Sequence, residues 1–103
     1  MLDLKPKYLE MLKAILTQVA PGMEVWAYGS RVSGQSHDMS DLDLVMRNPK
    51  DLNQRLPNLI ELREAFRDSN LPISVDIMDW ARIPQSFRNE ILKLHESINM
   101  PAD

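Results

Sequence analysis

The sequence predicts an α/β fold of the α+β kind: a small mixed sheet of about three strands covered by helices. Three observations point there. Helical and strand periodicities follow one another in the order helix, strand, strand, helix, strand, helix. The strand-like runs are short and bounded by Gly, Pro and Asn. A length of 103 residues suits a single domain with a modest core, spanning residues 1–103.

The first helix is expected over Pro6 to Val19. Leu9, Leu12, Leu16 and Val19 recur at helical spacing, Ile15 widens the stripe, and Pro6 suits a first helical position. Pro21-Gly22 breaks it. Met23 to Tyr28 is rich in strand formers and ends at Gly29. The polar stretch Arg31 to Ser40 reads as a short helix or turn followed by a loop. Leu42 to Met46 forms the second strand, stopped by Asn48-Pro49. Asp51 to Asn58 reads as a linker, and Leu59 to Arg67 as a helix with Leu59, Leu62 and Phe66 inward. After Asp68-Ser69-Asn70, Ile73 to Met78 is the third strand. Pro84 to Glu96 is the last helix, carrying Phe87, Ile91 and Leu94.

Composition excludes several functions. With no cysteine there is no disulfide, zinc-thiolate site or cysteine nucleophile, and His37 and His95 are too far apart to form a histidine-rich site. Any metal is therefore held by oxygen, which favours magnesium, with manganese as the alternative. A net charge of −3 and a pI of about 5.3 argue against general nucleic-acid binding. No apolar run is long enough to span a bilayer. The start, Met1 to Pro6, lacks the order of a signal peptide, so a cytoplasmic location is expected.

The spacing that carries chemistry is Gly29-Ser30, ten residues, then Asp41-Leu42-Asp43. Gly29 permits a sharp turn and close approach of backbone to a ligand. A helix beginning after Ser30 would present free N–H groups to a phosphate, with the Ser30 hydroxyl and the Arg31 charge beside them. On a strand Asp41 and Asp43 share one face, opposite Leu42 and Leu44. Asp76 opposes Val75 and Ile77 in the third strand and joins the same face if those two point to the helices. Three clustered carboxylates repel one another unless a divalent cation neutralises them. Each piece has a blander reading as an ordinary turn or a solvated strand edge; their joint occurrence at strand ends favours a nucleotide-and-metal site.

Other residues draw structural expectations. Trp26 and Tyr28 share a face and are expected to pack against a helix, with base stacking as the alternative. Asp79 reads as a cap or turn acid before a site residue. Arg47 is expected at the solvated exit of its strand, His37 on the surface, and His95 near the end of the last helix, where the dipole favours it.

These motifs resemble the polymerase-beta-like nucleotidyltransferases. The stretches Trp26 to Val32, Ser40 to Leu44 and Val75 to Trp80 are similar to the minimal nucleotidyltransferases, small proteins encoded beside a HEPN-domain partner. The resemblance covers essentially the whole chain and implies the polymerase-beta-like fold. It implies that Asp41, Asp43 and Asp76 ligate magnesium, two ions in all, and that Asp76 helps deprotonate the acceptor. It implies that Gly29 and Ser30 hold the β- and γ-phosphates of ATP, whose AMP passes to a hydroxyl. The acceptor implied is a tyrosine of a HEPN toxin, this chain being the antitoxin. A non-catalytic antitoxin that only covers its partner is the alternative, and a small-molecule nucleotidyltransferase a third class. Homo- and hetero-oligomers are both compatible with the chain.

Overall fold

The computed structural model describes residues 2–100; Met1, part of the N-terminal stretch read above, lies outside the described residues. The elements are α1 (Pro6–Val19), β1 (Glu24–Tyr28), α2 (Ser30–Ser33), β2 (Leu42–Arg47), α3 (Leu59–Arg67), β3 (Val75–Asp79), a one-turn 3-10 helix (Trp80–Arg82), α4 (Gln85–Lys93) and β4 (Glu96–Ile98). The sheet runs in the order β3-β2-β1-β4. β1 is antiparallel to both β2 and β4, whereas β2 and β3 are parallel, joined through α3 as a crossover.

Alternation along the strands divides the molecule into two apolar layers. Val25, Ala27, Leu42, Leu44, Met46 and Ile77 point to one face, where Leu12 and Leu16 of α1 and Leu62 and Phe66 of α3 meet them. Val45, Trp26, Tyr28 and Met78 point to the other, against Trp80, Phe87 and Ile91. The expected helical stripe of α1 is confirmed at its centre: Leu12 and Leu16 have no exposed surface. Lys5 is extended before the helix and Pro6 takes its first turn. The Asn58 side-chain amide donates to the Val19 carbonyl, tying the end of α1 to the start of α3.

A fourth strand is the main departure from the three expected. The last helix stops at Lys93 rather than Glu96, and Glu96 to Ile98 pairs with β1 through Ala27↔Glu96, Trp26↔Ser97 and Val25↔Ile98. An apolar stripe alone does not hold the last turn: Leu94, expected on that helix, is 51 % exposed and sits in extended backbone. The otherwise open edge of β1 and a core place for Ile98 draw the chain into the sheet instead. Among the described residues, no helix is long and apolar enough to cross a membrane.

Candidate active site

The register of the three long strands decides which groups meet. Val75 and Ile77 face the helical layer, so Asp76 turns to the opposite face, as the sequence requires for a shared site. There Asp43 is paired with Asp76 across the parallel β2–β3 ladder and with Tyr28 across the antiparallel β1–β2 ladder. Tyr28, Asp43 and Asp76 therefore form one row over three adjacent strands. Asp41 lies two residues before Asp43, just outside β2 and exposed. The Leu42 amide donates to the Ser74 carbonyl at 2.9 Å and extends the pairing toward it.

Electrostatics follow from that row. The Asp43 carboxyl is raised above its ordinary value, by partial burial first, then by Asp76 and then by Asp41. The Tyr28 phenol is pushed up as well, by burial and then by Asp43 and Asp76, so it stays protonated as a donor. A divalent cation beside Asp43 would offset both that burial and that repulsion, and the three candidate donors are carboxylate oxygens, the kind magnesium prefers. Among the described residues, no group of three acidic or histidine side chains is already assembled to hold an ion. Asp41 and Asp76 are exposed, so rotation of their side chains is the movement that completing such a set requires.

Gly29 joins the turn to the acids. Its φ of 78° and ψ of −154° lie in a region that essentially only glycine occupies. A Cβ added there would overlap the Asp43 carboxylate oxygen and stand 3.2 Å from its Cγ. Backbone and carboxylate thus approach as closely as they do because no side chain intervenes. The Gly29 carbonyl accepts from the amides of Val32 and Ser33, each at 3.0 Å, and so starts α2 at Ser30, directly after the glycine. On the far side of this turn lies a cleft of about 340 Å³ between α2 and α4, bordered by Tyr28, Gly29, Ser30, Phe87, Ile91 and Leu94.

Arg31 does not take the phosphate-contact role expected of it. Its guanidinium is buried and committed to backbone carbonyls: Nε to Ser40 at 3.0 Å, Nη1 to Asp3 at 2.8 Å, Nη2 to Asp38 at 3.1 Å and His37 at 3.5 Å. It clamps the loop that leads into Asp41. Carbonyl partners have no residue identity, so nothing in the sequence marked them. His37 lies exposed in that loop, and its Nδ1 accepts the Met39 amide at 3.2 Å.

Asp79 behaves as the cap it was read to be. Buried, it accepts from the amides of Leu56 at 2.8 Å and Ala81 at 3.4 Å, and from Arg82 Nε at 2.9 Å. Arg47, expected at a solvated strand end, instead lies between two indoles, its Cζ 3.7 Å from the Trp26 centroid and 4.5 Å from that of Trp80. Glu24 pairs with it at 2.7 Å. Trp26 is a packing residue, stacked on His95 at 3.8 Å and edge-on to Trp80 at 5.6 Å. His95 also meets the α4 carbonyl of Ile91 through Nδ1 at 3.0 Å, consistent with its expected place near a helix end.

Two outcomes follow from this geometry. Because the folded-state value of Asp43 is raised, its contribution favours the fold below the ordinary carboxylate value and is lost as pH rises toward the folded one. Asp43→Asn removes that cost, so in metal-free buffer it should raise Tm at pH 7, with the gain fading under acid conditions; a lower Tm at pH 7 would contradict this. Arg31→Lys keeps the charge but loses the planar fork, and should cost about 1–3 kcal/mol in urea melts. Amide exchange over residues 35–41 of the free protein should accelerate; an arginine serving only a bound phosphate would leave it unchanged.

Comparison with known proteins agrees with these features. Residues 1–100 match the family of the mitochondrial-like poly(A) RNA polymerase central palm domain. The chain is 42% identical over 94 residues to the "Probable protein adenylyltransferase MntA" of Haemophilus influenzae, covering 91% of this chain and 81% of the relative. Its fold superposes on a crystal structure of a toxin-antitoxin with AMP-PNP at a TM-score of 0.71 and 19% identity, over 90% of this chain and 73% of that one. A palm-type sheet with the Gly29-Ser30 turn against Asp43, matched along nearly its whole length, makes this chain a nucleotidyltransferase of the minimal nucleotidyltransferase family, within the polymerase-beta-like superfamily.

Proposed function

We propose that this protein transfers AMP from ATP to a hydroxyl of a partner protein, a tyrosine of a HEPN toxin, and thereby acts as its antitoxin. The observation that carries this reading is the pairing Asp43↔Asp76 with Gly29 pressed against the Asp43 carboxylate. That arrangement sets the glycine turn directly beside two carboxylates of one sheet face. The relative's name as a protein adenylyltransferase and the toxin-antitoxin fold neighbour support it.

Asp41, Asp43 and Asp76 are the residues that would hold magnesium, or manganese in its place. Two such ions, when bound, supply charge neutralisation to the phosphates and to the leaving oxygen. Gly29 and Ser30 seat the β- and γ-phosphates, the glycine through its bare backbone and the serine through its hydroxyl. The acceptor oxygen forms a bond to the α-phosphorus of ATP, the bond from that phosphorus to its bridging oxygen breaks, and pyrophosphate leaves. Asp76 stands at the open β3 side of the row and takes the acceptor proton, which then passes to water. Arg31 holds the loop before Asp41, so that Asp41 and Asp43 start from a fixed strand end. The location of this chemistry is the cytoplasm.

The test uses ATP labelled at the α-phosphorus, magnesium and the product of the neighbouring gene. Wild type should label a tyrosine of that partner, and Asp41→Asn with Asp43→Asn should cut the rate by roughly a hundredfold or more. An unlabelled partner, with wild type shown to bind ATP, would sink the proposal. A double variant that still neutralises the toxin in cells as well as wild type would assign neutralisation to binding alone.

A further inference from the structure

Residues 34–41 carry Asp41 to the start of β2, and none of their side chains belongs to either apolar layer. Inside this loop the Ser40 amide donates to the His37 carbonyl, and the His37 amide to the Ser40 hydroxyl, both at 2.9 Å. Tying the loop to the body of the protein falls to Arg31 and to the segment ahead of α1. The Asp3 amide donates to the Arg31 carbonyl at 2.7 Å, and the Asp3 carbonyl accepts from Arg31 Nη1 at 2.8 Å. With both backbone groups of Asp3 committed to Arg31, its carboxylate is aimed at the loop, where it accepts from the Ser36 hydroxyl. One residue earlier the Leu2 amide donates to the Glu96 carboxylate at 2.8 Å, so the same segment is also fastened to the start of β4.

Building on the metal-and-nucleotide reading above, we infer that Asp3 is a positioning residue for the metal site. Through Ser36 and Arg31 it fixes the loop that delivers Asp41, and so raises the affinity of the three acids for a divalent ion beside a nucleotide. Asp41 is the ligand most open to such influence. Asp43 lies within β2 and Asp76 within β3, each held by the ladder that pairs them, whereas Asp41 stands before β2 and takes its direction from the loop. A ligand on a loop that must be ordered when the ion arrives loses affinity to the entropy of that ordering. Contacts that order the loop beforehand reduce this loss. Asp3 does so as a hydrogen-bond acceptor rather than as a charge, because it is exposed and its field at a distance is screened by water and salt. Asparagine, which keeps a carbonyl oxygen in the same place, therefore serves in its stead; alanine does not.

Manganese binding to the full chain, followed by the EPR signal of the free ion with a non-hydrolysable ATP analogue present, tests this on Asp3→Ala, Asp3→Asn, Ser36→Ala and the double alanine variant. Circular dichroism confirms that each is folded. Asp3→Ala and Ser36→Ala should each weaken manganese binding roughly fivefold, as the loss of one ordering hydrogen bond implies, and Asp3→Asn should stay within about twofold of wild type. The double variant should bind no more weakly than either single one, since both remove the same contact. Amide exchange over residues 35–41 of the metal-free protein should accelerate in the alanine variants and not in Asp3→Asn. Unchanged manganese affinity in both alanine variants overturns the assignment of Asp3 while leaving the metal-and-nucleotide reading in place. An Asp3→Asn variant as weak as Asp3→Ala also overturns it, because charge rather than the loop contact is then at work. A wild type that binds no manganese overturns the metal-and-nucleotide reading, and the role of Asp3 with it.

Discussion

Two carboxylates held side by side on parallel strands are a costly arrangement, and the rest of this structure is organised around keeping them there. Asp43 and Asp76 do not choose to be neighbours. On the opposite face Leu42 lies against Val75 and Leu44 against Ile77, all within the layer packed by α1 and α3. Because strand side chains alternate, slipping β3 by one residue would turn Val75 and Ile77 out of that layer and Asp76 into it. Burial of the apolar face thus imposes the repulsion on the polar one. The raised Asp43 carboxyl reflects its partial burial first and that repulsion second, and a bound cation would offset both.

Two arginines support the site without joining its chemistry. Arg31 gathers carbonyls from Asp3, His37, Asp38 and Ser40, so a polar loop with little core of its own delivers Asp41 to the start of β2. Arg47, at the other end of the same strand, is held by Trp26, Trp80 and Glu24. Burial between the rings works against its charge and Glu24 works for it. β2 is thereby pinned at both ends, with the acids at one end and the aromatic stack at the other. Asp79 extends the same logic to β3, its buried carboxylate capping the turn that follows the strand and anchoring Leu56.

How much of this was legible in the sequence depended on whether the cause was local. The helix Leu59–Arg67 lies where its stripe placed it, and β1 and β2 differ by a residue at one end, because periodicity and Gly or Pro boundaries act within a few residues. The common face of Asp43 and Asp76 was legible through the same alternation. β4 was not: Glu96-Ser97-Ile98 is too short to show a period, and a neighbouring edge far off in the sequence recruits it. Arg31 was misread because its partners are anonymous carbonyls, and Arg47 because Trp26 and Trp80 meet only in three dimensions. The cleft beside the glycine turn escaped for a related reason, since Tyr28 and Phe87 come together only when α4 folds back over β1.

An Asp43 carboxylate disfavoured by burial and by its acidic neighbours in the free protein, and favoured again beside a metal-bound nucleotide, is the core of the account, and its ionisation reports both states. Its side-chain carboxyl carbon can be followed by NMR across an acid titration, first alone and then with magnesium and a non-hydrolysable ATP analogue. The account predicts a value above the ordinary 3.8 in the free protein and a fall when magnesium and nucleotide are added together. An ordinary value in the free protein, or a raised one that magnesium and nucleotide leave unmoved, would contradict it.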